Sequence, residues 1–305
     1  MANVLGNIIK KGKAGVELFI DGVKKTNYKR CRAYNTLTTT VLANYTNTIT
    51  MNKNFNAFVA YDSGSSKTCI FSYPATYRSG SSYTTVVSRY DGSQCYSMFQ
   101  SAISGAYGFV YFNGETHALG SSWHKKITGV PTSNASYTTA STLPFTIASS
   151  AKIIVYNGAI HVLGCGNNAL SHYKYNGSSW SYVSTIPYTL SGSAIVIANG
   201  INILGGYSNT TGHYRWNGTN WINESTLPYE CYNANAVYFN NAIHLIGGAE
   251  SNKHSIYTIS GKEWSILNNI PFSTCNLAIP YNSQIFINSG QQCAYRNYYL
   301  RAVLD

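Results

Sequence analysis

The chain has 305 residues, enough for one large β domain or two ordinary ones, and 44% of it is hydrophobic, so a sizeable core can form. Only 10% of residues are charged, far below the roughly 25% of an average globular protein, so solubility rests on Asn, Ser, Thr, Tyr and Gly. The net charge of +11 would suit a polyanionic partner, but no nucleic-acid-binding module accompanies it, and nucleic acid is not an expected ligand.

The densest basic runs are Lys10-Lys11-Gly12-Lys13 and Lys24 to Arg32; elsewhere, apart from Lys125-Lys126, the basic residues are scattered singly, which reads as a solvated face plus a basic arm. The cysteines Cys31, Cys69, Cys95, Cys165, Cys231, Cys275 and Cys293 are odd in number and include no C-x-x-C pair. That excludes a complete disulfide framework and argues against a zinc or redox site. They are expected as small apolar residues in buried strands, in a protein folded under reducing conditions. Met1 to Lys10 lacks the apolar stretch of a secretory leader. No run of about 18 apolar residues occurs, so no membrane insertion is expected. Asn-x-Ser/Thr sequons such as Asn217-Gly218-Thr219 are frequent enough to arise by chance.

Residues 1–27 stand apart as an N-terminal arm or hairpin. Gly15 to Val23 reads as a short hairpin turning at Asp21-Gly22. It is either an arm that docks on a partner or an extra strand pair of the main domain. From Tyr28 the chain becomes rich in Thr, Tyr and Val, as in Tyr34 to Leu42, which favours strand. No helical period follows anywhere.

Between Asn54 and Phe99 lies a degenerate unit, with strands at Ala57–Asp62 and Lys67–Ser72 and with Tyr83 taken as its closing aromatic anchor. A second unit runs from Tyr107 through Thr116-His117-Ala118-Leu119-Gly120 to Tyr137 and Pro144. Three better copies follow. The first is Tyr156-Asn157-Gly158-Ala159-Ile160-His161-Val162-Leu163-Gly164, then Trp180 and Pro187. The next has Ile201 to Gly206, Trp221 and Pro228. The third has Asn241 to Gly248, Trp264 and Pro271. A truncated unit, Leu277–Asn282, Gln284–Gly290 and Arg296–Arg301, ends the chain one strand short.

In four units the aromatic precedes the Pro by seven residues, and the anchors at 137, 180, 221 and 264 are 43, 41 and 43 residues apart. The first interval, 54 from Tyr83, predicts a longer loop near Trp123-His124-Lys125-Lys126. A period of 40–50 residues with several short strands describes a β-propeller, because one such unit cannot bury both faces of its own sheet. Over residues 55–305 the units resemble kelch repeats: an apolar strand, an Asn-Gly-like turn, a second apolar strand ending in Gly-Gly, and a Trp thirteen to sixteen residues on. Gly164-Cys165, Gly120-Ser121 and Gly290-Gln291 keep only one of the two glycines. The resemblance implies an all-β, kelch-type β-propeller over residues 28–305, with six blades, or seven if residues 1–50 give more than one strand. A strand from residues 28–48 would close the ring.

Little in the chain points to chemistry. His117, His161 and His244 recur at one repeat position, replaced by Asn202 in one copy, and are expected to be structural. His172 and His213 share another position, each followed by Tyr and a cation; they are expected on a solvated strand edge, with a repeated groove as the alternative. The carboxylates are few and dispersed, with no pair of the kind a glycosidase needs. Ser88-Arg89-Tyr90-Asp91-Gly92 is similar to a sialidase Asp-box but lacks its Thr-Trp. Tyr, Cys and His are too widespread to mark the copper site of some kelch oxidases. No catalytic, metal or cofactor-binding residue is assigned, no cofactor is expected, and the ligand-binding residues are left open.

Kelch-type propellers mostly serve as binding platforms, and the Tyr- and Asn-rich loops, such as Gly206 to Gly212, suit protein or glycan recognition. The Asn-, Lys- and Tyr-rich composition is similar to that of kelch-like proteins of phages infecting low-GC Gram-positive bacteria. That resemblance implies a non-enzymatic virion component of tail, neck or baseplate, assembled in the host cytoplasm. Residues 1–27 would anchor it to other virion proteins, and the propeller would meet a host-surface glycan or protein. The alternatives are a glycan-processing enzyme on a propeller scaffold and a cytoplasmic protein-interaction module.

Overall fold

The structure, a computed structural model, describes residues 9–12, 15–20, 23–24, 31–41, 48–79, 82–92, 95–249, 251–270, 277–282, 284–288 and 296–304. Residues 1–35 and 302–305 form one compact unit and residues 36–301 another. The first contains an antiparallel sheet of β1 (Ile9–Gly12), β2 (Gly15–Ile20) and β3 (Val23–Lys24). Ile20 pairs with Val23, as the expected hairpin requires. Its Asp21-Gly22 turn lies outside the described residues.

The second unit is a succession of four-stranded antiparallel sheets. After β4 (Cys31–Val41) come β5 (Thr48–Asp62), β6 (Lys67–Ser79), β7 (Ser82–Tyr90) and β8 (Cys95–Phe99), which form one sheet. The strands β9 (Gly108–Phe112), β10 (Glu115–Leu119), β11 (His124–Thr128) and β12 (Thr138–Ser141) form the next. Then follow β13 (Ile147–Tyr156), β14 (Ala159–Cys165), β15 (Ser171–Tyr175) and β16 (Trp180–Thr185). A further sheet comprises β17 (Ala194–Ile197), β18 (Ile201–Leu204), β19 (Gly212–Trp216) and β20 (Trp221–Thr226), and another β21 (Ala234–Phe239), β22 (Ala242–Gly247), β23 (His254–Thr258) and β24 (Glu263–Ile266). The last takes β25 (Leu277–Tyr281), β26 (Gln284–Asn288) and β27 (Arg296–Leu304) from the end of the chain and completes itself with β4. The closing strand thus comes from within residues 28–48, as the strand count required.

Turn chemistry makes each sheet a meander. Asn157 and Gly158 both have positive φ (46° and 69°) and join Tyr156 to its partner Ala159. Asn113-Gly114 joins Phe112 to Glu115 in the same way. Such two-residue turns match the right-handed twist of the strands they join. The next hairpin of the repeat uses a side chain: Asn176 Oδ1 accepts from the Ser178 and Ser179 N–H groups at 2.9 and 3.0 Å, and Asn217 does the same for Thr219 and Asn220.

The core lies between sheets rather than within them. One cluster joins Phe58, Phe71 and Tyr73 to Phe109 and Ala118. The next joins Val110 and Phe112 to Ile153, Ile160 and Tyr175, and a third joins Leu163 to Ile201, Ile203 and Trp216. Val196 and Leu204 pack on Ile243, Leu245 and Tyr257. Ile70 and Tyr90 pack on Leu277, Tyr281 and Phe286, so the first of these sheets meets the last and the ring closes. Apolar burial at about 25 cal/mol per Å² therefore rewards neighbouring sheets only when they stack.

The structure corrects the register of the first sheet. Residues 76–79 and 82–85 pair in an extended β6–β7 hairpin with Ser79 opposite Ser82, so Tyr83 lies near that hairpin's tip and not on an outer strand. Tyr90-Asp91-Gly92 is the true counterpart of Tyr175-Asn176-Gly177: Tyr90 OH donates to the Gly92 carbonyl at 2.9 Å, and Tyr175 OH to that of Gly177 at 2.8 Å. Cys95, opposite Tyr90, occupies the place of Trp180, opposite Tyr175. The extra length sits in that hairpin, and the expected long loop at His124 is instead strand β11.

Candidate functional site

The first strands of the sheets face a common central channel. Its cavity of ≈ 490 Å³ is lined by Asn56 and Ala57, Tyr107, Ser149 and Ala151 to Ile154, Gly192 to Ile197, Asn233 to Tyr238, Gly248, and Leu277 to Pro280. Most of this wall is aliphatic. Lys152 is the one charged residue in it.

One mouth of the channel carries a fixed aromatic rim. Asn56 Nδ2 donates to the Tyr107 carbonyl at 2.8 Å. Tyr207 is 56% exposed, yet it is held from three sides. Its N–H bonds the Ser191 carbonyl at 2.9 Å, its hydroxyl accepts from Asn233 Nδ2 at 2.7 Å, and its ring lies 4.8 Å from that of Tyr232. Asn233 N–H in turn bonds the Gly192 carbonyl at 2.7 Å. The Gly205-Gly206 pair permits this approach. Gly206 has φ +114°, and a Cβ there would collide with Ser193 and the Ser191 carbonyl. The loop after Gly206 can therefore lie against the strand starts that open the channel.

The repeat-position residues occupy a different place, between the sheets. All seven histidines of the chain are buried, none more than 5% exposed. His172 and His213 are fully buried, which overturns the expected solvated edge; each packs edge-on against the next sheet, His172 on Trp216 at 5.4 Å and His213 on Tyr257 at 4.8 Å. They also pair within their own sheets. His117 Nδ1 lies 2.8 Å from His124 Nε2, His161 Nδ1 2.8 Å from His172 Nε2, and His244 Nδ1 3.0 Å from His254 Nε2. Asn202 takes the first place against His213.

That Asn copy sets the direction of the hydrogen bonds. Asn202 Nδ2 donates to the Ala198 carbonyl at 2.9 Å, so its Oδ1 faces His213 Nε2, which donates across 3.0 Å. His213 Nδ1 must then accept, and Ser225 Oγ is 2.7 Å away. Ser225 Oγ in turn accepts from Trp264 Nε1 of the next sheet at 3.0 Å. Trp221 reaches Ser184, and Trp180 reaches Ser141, in the same manner, each serine lying beside a buried histidine. Each such chain stitches two sheets with neutral groups only. Burial holds His124, His172 and His244 down at about 3 and His117, His161, His213 and His254 at about 4, so all are neutral at pH 7.

Four carboxylates are ion-paired. Asp62 pairs with Arg89, Asp91 with Lys67 at 2.8 Å, Glu115 with Lys126 at 2.9 Å, and Glu224 with Arg215 at 2.9 Å. The Asp-box-like segment is thus part of an ion-pair network. Cys69, Cys165 and Cys231 are buried, and burial pushes the thiols of Cys165 and Cys231 up to about 12. Among the described residues no group of three or more His, Cys, Asp or Glu side chains is placed to hold a metal ion. Nor is any helix among them long and apolar enough to cross a membrane.

No protein-family model matches the chain, and no curated protein matches it. Among solved structures it is similar to YjhT, with 13% sequence identity and a TM-score of 0.57 over 85% of this chain and 97% of that one. The chain is a β-propeller. At that identity the likeness establishes the fold and carries no ligand with it. Among the described residues, the four ion-paired carboxylates and the seven histidines belong to the scaffold, and the channel and its rim are candidate ligand surfaces. The rim was foreshadowed only by the Tyr- and Asn-rich loop Gly206 to Gly212. Lys152, a single cation within an apolar strand, gave no sequence signal.

Proposed function

We propose that this protein is a non-enzymatic binding platform, a kelch-type propeller that recognises a glycan or protein through the rim of its channel. The observation that carries this reading is the exposed Tyr207 ring, locked by Asn233, Tyr232 and the Ser191 carbonyl. A pre-ordered tyrosine offers contact area and a hydroxyl at low entropic cost on binding. The non-enzymatic reading is supported by the ion-paired carboxylates, the buried neutral histidines and the buried thiols described above. In the setting we propose, the chain is a phage virion component of tail, neck or baseplate, residues 1–27 attach it to other virion proteins, and the propeller meets the host surface.

Labelled protein should bind intact host cells, and Tyr207→Ala should weaken that binding about tenfold or more while leaving the unfolding midpoint near wild type. Unchanged binding by a folded Tyr207→Ala protein would remove the rim from the proposal. Release of product from cell-wall glycans would overturn the non-enzymatic reading. Particle incorporation of a chain lacking residues 1–27 would overturn the anchor.

A further inference from the structure

We propose that the central channel binds a small monocarboxylate with an apolar body, held through Lys152. Lys152 opens the regular part of β13: the pairing with β14 is irregular between Ile147 and Lys152, and Lys152 sits opposite Leu163. Its neighbours Ala151 and Ile153 border the channel but also pack between sheets; Lys152 lines the channel and belongs to no such core cluster. It makes no hydrogen bond or ion pair with any described residue, and its ammonium is not sealed off from the channel space. Among the lining residues no carboxylate or histidine faces it, and the other titratable groups are the phenols of Tyr107 and Tyr238.

An unpaired ammonium deep in a protein is costly, and an anion within reach offsets that cost. The site offers one positive charge, so a monoanion is matched, whereas a dianion would bring a second, uncompensated charge into aliphatic surroundings. Ile154, Ile195, Val196 and Ile279 supply walls for an apolar body, and ≈ 490 Å³ is ample for a ligand of this size. Burial already draws Lys152 down to about 8, so a bound carboxylate would restore its proton.

Titration calorimetry at pH 7 with butyrate and benzoate, and with phosphate and sulfate as comparators, tests the site. Saturable carboxylate binding is expected, weakened about tenfold or more in Lys152→Met and retained in Lys152→Arg. Lys152→Met should fold at least as stably as wild type, since an apolar side chain replaces an unpaired charge. If it does not fold, wild-type titrations at pH 8.5 in buffers of different ionisation enthalpy decide: proton uptake with the carboxylate is expected, and its absence overturns the proposal. So would no saturable carboxylate binding, full binding by folded Lys152→Met, or phosphate binding at least as tightly. Tyr207→Ala should leave butyrate and benzoate binding intact, which separates this site from the rim.

Discussion

Lowering the pH from 7.5 to 5.5 should come close to unfolding this protein, and its histidines alone should do it. In the folded chain burial keeps all seven neutral, at about 3 or about 4; in the unfolded chain each titrates near 6.5. A depressed folded value means that the unfolded state binds more protons between these limits. The contribution is therefore complete above about pH 6.5 and is lost as the pH falls below it. Each histidine costs on the order of 1 kcal/mol over this range, and the seven together several kcal/mol, comparable with the roughly 5–15 kcal/mol that holds a whole domain together. Asp and Glu titrate lower and contribute little here. Urea unfolding followed by tryptophan fluorescence at several pH values gives the loss directly. If stability falls by less than one histidine's worth, on the order of 1 kcal/mol, or if imidazole resonances of the folded protein titrate near 6.5, the buried neutral assignment is wrong.

Two further substitutions probe the scaffold. Ser184→Ala strands His172 Nδ1 and Trp221 Nε1, and should cost about 1–3 kcal/mol; combined with Trp221→Phe, the loss should be less than the sum of the two single changes, measured by urea unfolding. Gly206→Ala places a Cβ against Ser193 and the Ser191 carbonyl at φ +114° and should cost about 1–3 kcal/mol or more, with a change of less than about 0.5 kcal/mol refuting the close approach.

The ring was legible because its anchors are large and its turns are chemically specific. The offset from Trp180, Trp221 and Trp264 to the following Pro repeats because each Trp crosses to a neighbouring sheet, where it reaches Ser141, Ser184 or Ser225. The first sheet misled because Ser79-Gly80-Ser81-Ser82-Tyr83 imitates the turn of the later units, while an extended hairpin displaces the true one to Tyr90-Asp91-Gly92. Tyr90 and its glycine were the usable signal. His172 and His213 were misplaced for a different reason. Tyr and a cation follow each of them, and a strand of that composition reads as a surface; only pairing with His161 and Asn202 across the sheet makes an imidazole affordable in the core. Nothing in one strand reveals that partner. The channel was hidden similarly, since several separate segments contribute to it and most read as core.

Charge scarcity and histidine burial belong to one design. With 10% charged residues, the propeller has few ion pairs available to join its sheets. It joins them through dipoles, from indole to serine to imidazole, and in one copy onward to an amide that ends on a backbone carbonyl. The amide settles the sense of the chain. Asn202 cannot turn its NH₂ toward His213 without losing the Ala198 carbonyl, so every donor upstream points one way. Where His161 replaces it, one ring nitrogen accepts from His172 and the other meets the backbone of Tyr156, which preserves the same sense. Neutral chains of this kind are nearly indifferent to ionic strength, which screens charges. They are broken by a proton, because an imidazolium donates from both nitrogens and has no acceptor left for the serine hydroxyl. A scaffold held this way trades salt sensitivity for acid sensitivity, and the two responses measured together on one sample distinguish it from a scaffold held by ion pairs.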